Sequence, residues 1–130
     1  MRFIVTAPAL ALLAACATAS PSAPAPASEA GAAPIQPSRA AQLLAAAGRD
    51  DAPSQREIER VLGAPDIMRR DGAGAALTYR LQDCALLLLF AADGRNEMRL
   101  AEAHPSARAA GAAAPSLEQC ATEASARRSG

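Results

Sequence analysis

The 130-residue chain lacks, or has few of, several residue types that catalysis and nucleic-acid binding often use. It has no lysine and no tryptophan, a single histidine and only 2% aromatic residues. Its formal charges cancel, and its basic runs are arginine pairs at 69–70 and 127–128, which are too short for a nucleic-acid footprint. No serine lies in a nucleophile elbow, and His104 has no second histidine with which to form a metal site. We therefore expect no enzyme activity, no cofactor or metal, no small-molecule substrate and no nucleic-acid partner.

Long hydrophobic runs are also missing, which makes the short one at the N-terminus informative. The apolar run at residues 3–15 follows Arg2 and is shorter than the roughly 20 residues that a membrane-spanning helix needs. It predicts a signal peptide over residues 1–15. The run ends in Leu13-Ala14-Ala15-Cys16, the pattern of a bacterial lipobox, so we expect Cys16 to carry diacylglyceryl and palmitate-type chains. The alternative is an ordinary signal peptide cleaved near Ala15. Ala17, in place of an aspartate after the cysteine, favours the outer membrane.

The segment after the cysteine cannot form a core. Residues 16–37 consist mostly of alanine, proline and serine, with Glu29 as the only charge. This composition predicts a disordered, partly polyproline II tether that holds a folded domain, residues 38–123, away from the membrane. A cell-wall-associated segment is the alternative interpretation. We expect residues 124–130 to fray.

Three serines mark the starts of helices. Residues 38–47 predict a short first helix capped by Ser38. Ser54 and Glu57 form a capping-box pattern that starts a second helix, which Gly63 ends. Ser116 begins a short C-terminal helix.

The middle of the chain predicts strands. Apolar and polar residues alternate from 75 to 81, and glycine-containing turns lie at 71–74 and 93–94, which together indicate an antiparallel meander of three or four strands. The run at 81–90 is apolar on both faces. Its leucines and alanines slightly favour a helix, whereas the flanking turns favour a strand. We place His104 and Pro105 in a loop.

Four segments carry a resemblance to a known family: residues 61–66 (VLGAPD), 69–72 (RRDG), 77–80 (LTYR) and 84–90 (CALLLLF). Their order resembles small alphaproteobacterial outer-membrane lipoproteins, which are similar to the SmpA/OmlA (BamE-like) domain. The resemblance spans about residues 54–120, and Leu77 departs from it where an aromatic residue is common. It implies an α+β fold with two short N-terminal helices packed on a three- to four-stranded antiparallel sheet. It also implies that the 81–90 run is a strand and that a short C-terminal helix is pinned by a Cys84–Cys120 disulfide.

The same resemblance implies a role for the module. The chain would be a non-enzymatic envelope lipoprotein in the outer membrane, with its domain in the periplasm, supporting outer-membrane protein assembly or envelope integrity. An inhibitor of a periplasmic hydrolase is the alternative, and a structural tether or lipid-binding accessory is a third reading. The candidate partner contacts are Arg69, Arg70 and Tyr79; the alternative is that the arginines form a solvated strand edge and that Tyr79 fills the core.

The faces of the apolar strand raise a question about coverage. On a strand, Cys84, Leu86, Leu88 and Phe90 share one face, and Ala85, Leu87 and Leu89 share the other. We expect the helices around residues 58–62 to cover one face and the C-terminal segment to cover the Cys84 face. Leucines left uncovered would mark a partner or dimer surface.

Overall fold

A computed structural model describes residues 36–130, which form three helices and four strands. The elements are α1 (Arg39–Ala45), α2 (Gln55–Leu62), β1 (Ile67–Asp71), β2 (Gly74–Arg80), β3 (Cys84–Ala92), β4 (Met98–Ala107) and α3 (Leu117–Ser129). The expectations for the signal peptide, for Cys16 and for residues 17–35 of the tether lie outside the described residues. The α+β class and the C-terminal helix are confirmed.

The strands form one antiparallel sheet in the order β1-β2-β3-β4. Tight turns produce this meander. The first hairpin closes where Asp71 pairs with Gly74, and Gly72 between them has a φ of 54°, which glycine adopts without a steric penalty. In the turn before β4, the Asp93 carboxylate accepts hydrogen bonds from the backbone N–H groups of Arg95 and Glu97. Strand β3 spans Cys84–Ala92, so most of the apolar run at 81–90 is a strand and not a helix.

The helices cover only one face of the sheet. The inward side chains of β2 and β3 pack in a single core with residues from all three helices: Ala75, Leu77, Tyr79, Cys84, Leu86, Leu88, Phe90, Leu44, Ile58, Leu62, Cys120, Ala121 and Ala124. The expectation that α2 and the C-terminal segment cover opposite faces is wrong, because both pack on the Cys84 face. On the other face Leu87 is 38% exposed. In the described part of the chain, no element covers that face.

The predicted caps are present, and α3 is longer than expected. Ser38, Ser54 and Ser116 each accept a hydrogen bond from a backbone N–H in the first turn of the helix that follows. Helix α3 continues to Ser129, so residues 124–129 are helical rather than frayed. Ala124 is fully buried, and this packing stabilises the last turns.

The predicted position of His104 in a loop is wrong. His104 lies in β4, opposite Leu87 of β3. Because β4 is at the edge of the sheet, Pro105 is tolerated there despite its missing N–H.

Candidate interaction surfaces

The two cysteines of the described domain form a disulfide, as the resemblance implied. Cys84 begins β3, Cys120 lies in the first turns of α3, and their Cα atoms are 5.6 Å apart. Both residues are fully buried. Thiol exchange needs access to a sulfur atom, so this burial indicates a structural rather than a catalytic disulfide. The Glu123 carboxylate adds a second link between α3 and β3, because it accepts hydrogen bonds from the backbone N–H groups of Asp83 (3.1 Å) and Cys84 (3.3 Å).

Tyr79 belongs to the core and not to the surface. Its side chain is fully buried, and its hydroxyl donates a hydrogen bond to the Gly63 carbonyl at 3.0 Å. Burial, reinforced by the nearby Glu59 carboxylate, raises the pKa of the Tyr79 hydroxyl far above its usual value. The Arg127 guanidinium lies 5.7 Å from the ring centroid. Tyr79 is therefore not available as a partner contact.

The C-terminal arginine pair connects α3 to the loop between α2 and β1. Arg127 forms an ion pair with Asp66 at 2.7 Å and donates to the Ala64 carbonyl at 3.0 Å. The backbone N–H of Arg80, followed by the Arg127 guanidinium, lowers the pKa of the Asp66 carboxyl. Arg128 donates to the Arg60 carbonyl near the end of α2. Arg127 and Arg128 therefore hold α3 against α2 and the loop that precedes β1.

Arg69 and Arg70 lie on β1, which has a free edge. Both side chains are exposed, and neither forms an ion pair within residues 36–130. Among the described elements, β2 is the only hydrogen-bonded neighbour of β1. The other edge of the sheet differs, because the loop after α1 partly covers β4. There the Gly48 N–H donates to the Leu100 carbonyl and the Leu100 N–H donates to the Pro53 carbonyl, both at 2.9 Å.

The two arginines point to opposite faces of the sheet. Arg70 pairs with the inward-facing Ala75, so it lies on the helical side. There it lines a groove of about 410 Å³ together with residues of α2 and of the turn before β4: Ser54, Gln55, Arg56, Glu59, Asn96, Glu97 and Met98. We call this the Arg70 groove. Arg69 pairs with Ala76 and lies on the open face.

The open face is the second exposed surface, and its residues fall into rows across the four strands. One row contains Ile67, Thr78, Leu87 and His104; the next contains Arg69, Ala76, Leu89 and Glu102. The His104 imidazole and the Glu102 carboxylate are 2.6 Å apart, and both side chains are more than half exposed. In these two rows the centre of the face carries Ala76, Leu87 and Leu89 beside Thr78, and its borders carry the charged residues Arg69 and Glu102 together with Ile67 and His104.

Within residues 36–130, no group of three or more side chains could hold a metal ion, and no helix is long and apolar enough to cross a membrane. No protein-family model, curated protein or solved structure matches the chain.

Proposed function

We propose that the chain is a non-enzymatic envelope lipoprotein whose folded part is an interaction module for outer-membrane protein assembly or envelope integrity. Cys16 would carry the lipid anchor in the outer membrane, and the domain would stand in the periplasm on the tether. The lipobox pattern at residues 13–16 and the resemblance to the SmpA/OmlA (BamE-like) domain support this proposal.

The disulfide supports a periplasmic location for the domain. Disulfides persist in oxidising environments such as the bacterial periplasm and are rare in the cytosol. The buried Cys84–Cys120 bond joins the central strand β3 to α3, so it is part of the core. A core built around this bond fits a protein that folds after export.

The free edge of β1 is the observation that carries the interaction role. In an antiparallel pair, alternate residues direct their backbone N–H and C=O groups away from the partner strand. An extended segment of another protein can pair with such groups and add a strand to the sheet. The Arg70 groove lies beside this edge. Its carboxylates are engaged within the domain, Glu59 by Gln55 and Glu97 by Arg99, whereas the Arg70 guanidinium has no ion-pair partner among the described residues. We therefore expect the partner to present an extended segment that carries an acidic side chain.

Site-specific cross-linking in cells tests this proposal. A photoreactive residue would replace Arg70 in the full chain, and Gln42, which is exposed on α1, would be the matched control position. Capture of outer-membrane assembly proteins from position 70, but not from position 42, supports the proposal. Capture of a single soluble hydrolase would instead favour an inhibitor, and capture of no protein would contradict both roles.

The anchor is tested separately by fractionation. Cys16→Ala removes the proposed site of lipidation, so the variant should move from the membrane fraction to the soluble fraction. A Cys16→Ala chain that remains in the membrane fraction would contradict the lipid anchor, whatever partner the domain binds.

A further inference from the structure

We propose that the open face of the sheet binds the same face of a second copy of this chain, forming a two-sheet sandwich related by a two-fold axis parallel to the strands. Ile67 on β1 is half-buried on this face, and β3 contributes two further large apolar residues: Leu87, which is 38% exposed, and Leu89, which is half-buried. Their neighbours on β2 are the smaller Thr78 and Ala76. Large and small residues therefore alternate between adjacent strands.

This alternation makes the face complementary to itself. A two-fold axis that runs parallel to the strands, between β2 and β3, places β2 of one copy over β3 of the other and keeps each row opposite the same row. Leu87 then faces Thr78 of the second copy, and Leu89 faces Ala76 of the second copy. Stacked sheets lie about 10 Å apart with interdigitating side chains, which suits large residues over small ones.

The charges at the borders agree with the same axis. Arg69 on β1 and Glu102 on β4 are in one row on opposite borders of the face. The parallel axis lays β1 over β4 of the second copy, so that each Arg69 faces a Glu102 of the second copy. An axis perpendicular to the strands would instead lay β1 over β1 and leucine over leucine. Shape and charge therefore favour the same arrangement.

The size of the face predicts a weak dimer. Four strands about 4.8 Å apart, crossed by three complete rows about 6.6 Å apart, present roughly 400 Å². A standard interface buries about 800 Å² on each partner. We therefore expect a monomer–dimer equilibrium that shifts with concentration. The free edge of β1 and the Arg70 groove lie outside this contact, so the dimer does not depend on the proposed partner site.

Sedimentation of the purified full-length chain, in detergent of matched density, measures this equilibrium. We expect the average mass to rise from monomer towards dimer with increasing concentration. Leu87→Arg should raise the dissociation constant at least about tenfold, because it buries a charge where an apolar contact forms. Met68→Arg is the matched control, since Met68 is the other exposed large apolar side chain of the described domain, at 44%, and lies on the helical side of β1.

Charge reversal tests the orientation of the two copies. Arg69→Glu and Glu102→Arg should each weaken the dimer, and the double variant should restore it, because the reversed charges face each other again. Arg70→Glu, on the opposite face of the same strand, should leave the dissociation constant of the dimer unchanged. If the double variant dimerises no more tightly than the single variants, the proposed two-fold axis parallel to the strands is wrong.

Cross-linking in cells gives a second readout. With a short bismaleimide, Leu87→Cys in the full chain should yield a product of twice the chain mass, whereas Met68→Cys and the parent chain should not. A chain that stays monomeric at every concentration would overturn the proposal. So would a position-87 cross-link to a different protein, or to the chain's own N-terminal segment, in place of the second copy.

Discussion

Loss of the Cys84–Cys120 disulfide should remove a large share of the domain's stability. The bond closes a loop with a sequence separation of 36 residues. The chain-entropy model gives about 4 kcal/mol for a loop of this length, because the cross-link restricts the unfolded chain. A domain of 95 described residues is expected to have a free energy of unfolding of roughly 5–14 kcal/mol. Without the bond we therefore expect a free energy of unfolding of roughly 1–10 kcal/mol.

Urea unfolding followed by circular dichroism measures this loss. The comparison needs three samples, all carrying Cys16→Ser: the oxidised chain, the same chain reduced, and a Cys84→Ala/Cys120→Ala variant. The reduced chain keeps both sulfur atoms, so its difference from the oxidised chain isolates the cross-link. The difference in free energy of unfolding between the reduced chain and the alanine variant measures the packing that the two sulfur atoms contribute to the core. The slope of the unfolding free energy against urea should also increase, because the unfolded chain becomes less compact without the bond.

Two results would refute this reasoning. Free energies of the oxidised and reduced chains within about 1 kcal/mol of each other would show that the unfolded chain is not restricted as the entropy model requires. Labelling of both cysteines by a thiol reagent in the natively expressed protein would show that the bond does not form.

Three further predictions concern the contacts around α2. Ser54→Ala should lower the free energy of unfolding by about 1–2 kcal/mol, measured in urea, because it removes the hydroxyl that caps α2. Tyr79→Phe should cost about 1 kcal/mol in the same assay, since the Gly63 carbonyl loses its donor. Acidification should destabilise the domain, because the folded state lowers the pKa values of Glu57 and Asp66. Their stabilisation is present above the unfolded pKa of about 4 and is lost as the pH falls through the folded values.

Each of these has a matched control and a contradicting outcome. Ser116→Ala removes the corresponding cap of α3, so a loss at Ser54 but none at Ser116 would contradict a general capping effect. Phe90→Leu changes a buried residue without a polar group, which separates packing from hydrogen bonding at Tyr79. In an Asp66→Asn variant the acid-dependent part of the stability should shrink. An unchanged pH profile would show that this carboxylate does not contribute.

Local signals in the sequence predicted the elements better than their arrangement. The caps at Ser54 and Ser116 involve residues three positions apart, so their chemistry is readable from the chain. The alternation of β3 correctly separated the Cys84 face from the Leu87 face. The alternation within a strand does not show which face of the sheet the helices cover. The choice of face depends on tertiary packing, such as that of α3 against α1, which brings distant parts of the chain together.

The remaining errors have the same origin. Tyr79 was a candidate surface residue, but in the register of β2 it shares the buried face with Leu77. Residues 124–129 show little amphipathic pattern, and their helix is stabilised by the burial of Ala124 and by the contacts of Arg127 with the Asp66 loop. The Arg70 groove combines α2, β1 and the turn before β4, and no single segment of the sequence carries a signal for it.

The mass of the mature protein from bacterial membranes tests the central proposal most directly. Intact-mass and N-terminal peptide analysis should show a chain that begins at Cys16 and carries a diacylglyceryl group and a further acyl chain on that residue. A chain that begins elsewhere, or that has an unmodified Cys16, would contradict the lipid-anchored envelope role.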